Sequence, residues 1–247
     1  MKEQYVIGRN PVLELLKSGD SIDKLYVQKG DKQGSITKII GKAKDENILV
    51  QYVDRKKLTS LADSDRHQGV VALITGFEYS TIDEIIDLAK EKNEDPFLII
   101  LDGIEDPHNL GAIIRTAECA GAHGIIIPKR RSASVNQTVY KTSAGAVEHL
   151  KVSQVVNISD TIETLKKVGL WIYGADAQGA EVYYKNSLTG PIALVIGSEG
   201  KGISRLVKEK CDVLVKIPML GNVSSLNASV ASSILIYEVL RQRNEQN

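Results

Sequence analysis

The stretch IPMLGNVSSLNASVASS, residues Ile217 to Ser233, ends an apolar run, makes a tight loop and opens a helix within seventeen residues. Pro218 stops the run Val213, Leu214, Val215, Ile217, and Gly221-Asn222 is a turn pair. Ser224, Ser225 and Asn227 can each cap a helix whose first amides lack internal partners, although one cap would suffice. Beyond them Ile234, Leu235, Ile236, Val239 and Leu240 make an apolar face, while Ala228, Ala231 and Ser232 are small enough for close backbone approach. A helix with a polar, crowded beginning and a buried remainder is suited to holding a ligand at its start. The plainer account is a well-capped amphipathic helix.

Upstream, the same strand, loop and helix unit recurs. Apolar runs at Phe97 to Leu101, Gly124 to Ile127, Leu170 to Tyr173, Ile192 to Ile196 and Val213 to Ile217 suit strands covered on both faces. Helical patterns lie between them at Leu110 to Ala120, Asn136 to Ala146, Thr161 to Val168 and Ser204 to Cys211. This alternation predicts a doubly wound parallel sheet, whose ligands sit outside the carboxyl ends of its strands. The first part of the chain is a smaller α/β pattern. Helices are expected at Pro11 to Lys17, Ser35 to Lys44 and Arg55 to Leu61, and strands at Val6-Ile7, Leu25 to Val27, Ile48 to Val53 and Val70 to Ile74. The fold class expected is therefore α/β with two domains: residues 1–76, a linker and first helix at 77–94, and a sheet domain at 95–247.

A chain of 247 residues is long enough to bury its cores without disulfides or metals. Cys119 and Cys211 sit in apolar contexts that read as buried, reduced thiols of a cytoplasmic protein. The four histidines have no ligand spacing, so no metal is expected, and no apolar run approaches a membrane span. With 31 basic and 31 acidic residues, a polyanionic partner must be met by local patches. Arg55-Lys56-Lys57 and Lys129-Arg130-Arg131 are the candidates, although a lone cluster of three is more often a solvated turn or helix end than a nucleic-acid contact.

Three strands end in polar, glycine-containing loops. The first leads into NLGAIIRTAE, where Asn109 is placed to cap the helix, Gly111 permits close approach, and Arg115 has Glu118 at i+3 as a surface partner. The second is LVIGSEGKGIS, Leu194 to Ser204. It lacks the Gly-Lys-Ser/Thr ending of a phosphate loop and the GxGxxG of a dinucleotide site, and Glu199 would repel phosphate. The third is the stretch quoted first.

Taken in order, these loops resemble the three motifs of the SpoU-type RNA 2′-O-ribose methyltransferases of the SPOUT class, over roughly Asp95 to Gln242. The resemblance implies a catalytic set of Arg115, Asn109, Glu199, Ser225 and Asn227. It places S-adenosylmethionine against main chain at Gly197, Ile217 and Leu226, in a pocket formed by a C-terminal trefoil knot and completed in a homodimer. IGRNPVLELL and HQGVVAL resemble the ends of the ribosomal-protein-like RNA-binding module fused to one branch of the family, that of the bacterial 23S rRNA guanosine-2′-O-methyltransferases. Ribosomal RNA is the partner implied, because tRNA-directed relatives carry helical extensions and this chain stops soon after its last expected helix. A tRNA-directed or adenosine-directed enzyme of the same family, and a catalytically silent RNA-binding protein, are the other readings.

Overall fold

The computed structural model describes residues 3–18, 22–31, 34–223 and 225–246. The chain forms two compact units, Met1–Glu78 with Val135–Gln137, and Tyr79–Ser134 with Thr138–Asn247.

In the first unit the strands are β1 (Glu3–Ile7), β2 (Ile22–Gln28), β3 (Leu49–Val53) and β4 (Val70–Thr75), and the helices are α1 (Arg9–Ser18), α2 (Ser35–Asp45) and α3 (Arg55–Ala62). The sheet order is β1-β4-β2-β3, with β4 antiparallel to both neighbours and β2 parallel to β3. Val12 and Leu16 of α1 and Ile36, Ile39 and Ala43 of α2 pack against Leu25, Val27, Val70 and Ala72 on one face. Leu58 of α3 covers Val53 and Val71 on the other. The polar stretch before β4, read as loop, holds a 3₁₀ turn at Asp65–His67, whose His67 ring is buried and accepts from the Gly69 N–H at 3.0 Å.

The second unit contains α4 (Ile82–Glu91), β5 (Phe97–Asp102), α5 (Pro107–Cys119), β6 (Gly124–Pro128), α6 (Gln137–Thr142), β7 (Lys151–Val155), α7 (Ile158–Lys167), β8 (Trp171–Ala175), β9 (Glu181–Val182), β10 (Ile192–Gly197), α8 (Arg205–Lys210), β11 (Val213–Lys216) and α9 (Ala228–Gln246). Its seven-stranded sheet runs β7-β6-β5-β10-β8-β11-β9, every pairing parallel. From β5 the chain winds outward through β6 to β7, then crosses to β8, and β10 fills the gap between β5 and β8. That reversal is where a doubly wound sheet opens a crevice at its carboxyl edge. All carboxyl ends share one side, so the loops after β5, β8, β10 and β11 are neighbours.

Several expectations are corrected. The pattern placed at Asn136 to Ala146 is shorter, because Ala144 and Gly145 take left-handed conformations, φ 51° and 85°, that break it. Helix α7 begins earlier than Thr161, since Asn157 caps it by accepting from the N–H groups of Ser159 and Asp160. Cys119 is exposed rather than buried. On α5 the buried positions are Leu110, Gly111, Ile113, Ile114 and Ala117, so Arg115 and Cys119, one turn apart, share the outward face. Cys211 is half-buried at the end of α8, where burial pushes its thiol up to about 12.

At the amino edge of this sheet His123 is fully buried. Its Nδ1 accepts from the Phe97 N–H at 3.0 Å, so the proton belongs on Nε2, 3.1 Å from the Glu94 carboxylate. Burial holds the His123 pKa below its ordinary value despite Glu94. A depressed histidine pKa means the unfolded chain takes up its proton first as pH falls. Stability conferred by neutral His123 is therefore complete above about pH 6.5 and is lost below it, by at most about 1.4 kcal/mol per pH unit. Thermal unfolding between pH 7 and pH 5 should fall less steeply for His123→Asn than for the native chain; equal slopes would remove His123 from the acid response.

Candidate functional site

Helix α5 starts on Asp106-Pro107. The Asp106 carboxylate accepts from the His108 N–H at 2.9 Å, and Pro107 supplies the fixed φ of a first helical position. Asn109 is therefore not the cap expected of it. It lies in the first turn with its amide directed elsewhere. Gly111 is required: a Cβ there would overlap the Thr142 side chain and sit 3.1 Å from the Ser143 nitrogen.

After β10 the chain doubles back. Ser198 N–H donates to Gly202 O at 3.1 Å and Gly202 N–H to Ser198 O at 2.9 Å, while Gly200 and Gly202 take φ of 80° and 66°. This fold lays Gly202 and Ile203 directly on Gly197, where any Cβ would overlap their main chain. Glu199 stands at the tip. The loop is also fixed to β5, whose Asp102 carboxylate accepts from the Ser204 N–H at 2.7 Å.

The third loop, after β11, leads to Asn227. Its Oδ1 accepts from the N–H groups of Ser229 and Val230 at 2.9 and 3.3 Å, which makes it the cap of α9. Ser225 is exposed, and Ser224, the other capping candidate, lies outside the described residues. The main chain of 218–223 and 225–226 makes no backbone hydrogen bond among the described residues, leaving its polar groups open to a ligand or to water. Helix α9 then packs on α5 and β10, with Thr116 and Ser233 hydroxyls 3.2 Å apart.

The three loops meet at one carboxylate. Glu199 Oε1 accepts from Asn109 Nδ2 at 3.1 Å, from Asn227 Nδ2, and from the Ala228 N–H at 3.3 Å, while Asn227 Nδ2 also reaches Asn109 Oδ1 at 3.0 Å. A carboxylate beside the first amides of a 19-residue helix is favourably placed by the helix dipole as well as by these bonds.

Next to this junction is a cavity of about 540 Å³, of the size that takes a cofactor. Gly197, Ile217 and Leu226 line it, as do Glu199 and Ser225; Ile196, Val215, Met219 and Ala231 supply apolar wall. Asn109 and Asn227 border it through Glu199. Arg115 does not line it: the side chain is exposed and makes no ion pair with Glu118 or any other acid among the described residues. Two further polar groups of the wall, Asp176 and Lys208, were not read from the sequence; they form a 2.8 Å ion pair. Burial raises the Asp176 carboxyl, but the bonds from Lys208 and the Gln178 N–H outweigh it and hold the pKa below the usual range. Among the described residues no cluster of three metal-ligating side chains occurs, and no helix is long and apolar enough to cross a membrane.

A cavity of cofactor size at the switch point of a parallel sheet, roofed by three loops held together through Asn109, Glu199 and Asn227, is the place where a doubly wound fold binds its ligand. Comparison with known proteins makes this specific. The SpoU rRNA Methylase family matches residues 96–237, and the RNA 2′-O ribose methyltransferase substrate binding family matches residues 5–80. YacO of Bacillus subtilis strain 168, whose name assigns it to the TrmH family of tRNA/rRNA methyltransferases, is 51% identical over 243 residues, 98% of this chain and 97% of that one. A Staphylococcus haemolyticus protein named for the same family is 48% identical over 99% of this chain and 98% of its own length. The SpoU methyltransferase AviRb of Streptomyces viridochromogenes, solved with AdoMet, superposes with a TM-score of 0.62 at 26% identity, covering 98% of this chain and 91% of AviRb. The chain belongs to the SpoU rRNA methylase family. It is an S-adenosylmethionine-dependent RNA methyltransferase.

Proposed function

We propose that this chain methylates a ribose 2′-hydroxyl, that of a guanosine in 23S rRNA, and works as a homodimer with the family's C-terminal trefoil knot. The observation that carries this reading is the convergence of the three loops on Glu199 beside a cavity of cofactor size. Main chain at Gly197, Ile217 and Leu226 holds the cofactor, with the apolar wall against its adenine. Bound there, S-adenosylmethionine supplies an electrophilic sulfonium methyl. Everything else is the work of the chain: fixing the ribose in line and holding the adjoining phosphate. Arg115 suits the second task, since its guanidinium fork matches phosphate oxygens and stays charged. It suits proton abstraction badly, because a phosphate partner favours the protonated form further. Asn109 and Asn227 keep Glu199 in place, and Ser225 lines the same cavity.

The position of Arg115 outside its own pocket supports the homodimer. A second copy brings an arginine to each site, and Leu220, Val223, Val230 and Tyr237, all exposed on the third loop and α9, offer apolar surface for it.

The first unit selects the RNA. Arg55, Lys56 and Lys57 are exposed at the start of α3, where Asp54 caps the helix by accepting from the Lys57 N–H at 2.8 Å. With no net charge on the chain, such a cluster carries much of the attraction for RNA. The test is methyl transfer to a 23S transcript and to a tRNA pool, with the modified ribose mapped in each. Transfer to the 23S transcript alone, weakened and made less salt-dependent when the three cations are neutralised, supports the reading. Transfer to tRNA, to an adenosine, or to neither substrate despite cofactor binding would replace it.

A further inference from the structure

The loop after β6, which carries the Lys129-Arg130-Arg131 cluster, takes no part in the function proposed above. It starts at the carboxyl end of its strand, as the three motif loops do, and is held against the first of them: the Ala133 N–H donates to Ile104 O at 2.7 Å and the Ser132 hydroxyl to the same oxygen at 3.3 Å. A Cβ on Gly103 would stand 3.7 Å from the Ser198 Cβ and 3.9 Å from the Arg131 carbonyl oxygen, so this loop, the β5 loop and the Glu199 loop touch at one point. Arg131 is exposed there and has φ of 56°, in the left-handed region that glycine or asparagine occupies at little cost and a long side chain does not. Glu105 and Asp106 follow Ile104 directly, yet Arg131 forms no ion pair with either, or with any acid among the described residues.

We infer that Arg131 is a phosphate-binding residue for the substrate RNA, contacting the backbone beside the methylated nucleotide. This rests on the cavity being the RNA methyl-transfer site. Backbone strain is retained where it serves function, and here it marks a residue on the rim of the three loops whose guanidinium has no ion-pair partner among the described residues. Of the anions that could meet such a rim, the RNA backbone is the one the methyl-transfer reaction brings, and its phosphate oxygens match the planar fork. Because the chain has no net charge, each such cation counts in docking a polyanion.

The test uses the intact chain, polyuridylate as a sequence-blind probe and a 23S transcript as the structured one. Arg131→Ala and Arg131→Gly should each weaken binding of both RNAs by about five- to tenfold and lower the salt slope by about one. Cofactor affinity should stay at the native value. The glycine variant separates function from scaffold, since relief of the left-handed arginine leaves its melting temperature equal to or above native while RNA affinity falls. Arg131→Lys should recover part of the affinity. Unchanged RNA affinity and slope, or losses that follow a lowered melting temperature in both variants, would overturn the assignment. Loss of cofactor binding by the native chain would instead strike at the reading of the cavity.

Discussion

Arg115→Ala should reduce methyl transfer about a hundred- to a thousandfold while leaving S-adenosylmethionine affinity within about threefold. The separation of the two effects comes from geometry. Arg115 stands on the outer face of α5, away from the residues that line the cavity, so its removal takes nothing from the cofactor. Nor should the fold suffer, since an exposed arginine without an ion-pair partner among the described residues contributes little stability. Calorimetry with the cofactor and a radiolabelled methyl assay read the two quantities independently. Substantial residual transfer would remove Arg115 from the reaction. Mixing this variant with one defective in the cofactor pocket adds a sharper result: if each pocket uses the other copy's arginine, mixed dimers regain activity that neither parent has.

The pocket-defective partner is Gly197→Ala. A methyl group at Gly197 meets the main chain of Gly202 and Ile203, which cannot yield as a flexible side chain would. The loop must lift, carrying Glu199 away from Asn109 and Asn227 and opening the cavity floor. Cofactor affinity should fall more than tenfold, with about 1–3 kcal/mol lost from stability as for other overpacked sites. Gly221→Ala is the control, because a Cβ there meets nothing within 4 Å. It should bind the cofactor as the native chain does; equal damage from both substitutions would mean that loop flexibility, rather than the Gly197 contact, governs the pocket.

Legibility in the sequence varied with what each residue faces. Strands β5, β6 and β10 are plain as uninterrupted apolar runs because both of their faces are covered. The outer strands β7 and β9 were not anticipated: Lys151–Val155 interleaves polar residues, and Glu181–Val182 is too short to leave a period. The start of α5 lies earlier than Asn109 suggests, because Asp106-Pro107, three and two residues before it, is the stronger start signal. Motif order pointed to Asn109, Glu199 and Asn227. No local pattern says that side chains 90 and 118 positions away from Asn109 would share hydrogen bonds with it. The outward position of Cys119 depends on which face of α5 meets its neighbours, a property of the assembled unit that apolar context near the residue does not convey.

The central place of β10 also governs the order in which a nascent chain can mature. All four strands of the first sheet precede residue 76, so that unit's sheet can assemble before most of the chain is synthesised. The second sheet has to wait. Strands β5 and β8 present facing edges with a gap between them until residues Ile192–Gly197 emerge to pair with both, and β11 and α9 come later still. Closing such distant pairings carries a loop-entropy cost that slows the search, and unsatisfied edges in the meantime invite association between chains. Formation of the crevice beside Glu199 is therefore a late event in biosynthesis, completed only when nearly the whole polypeptide is available.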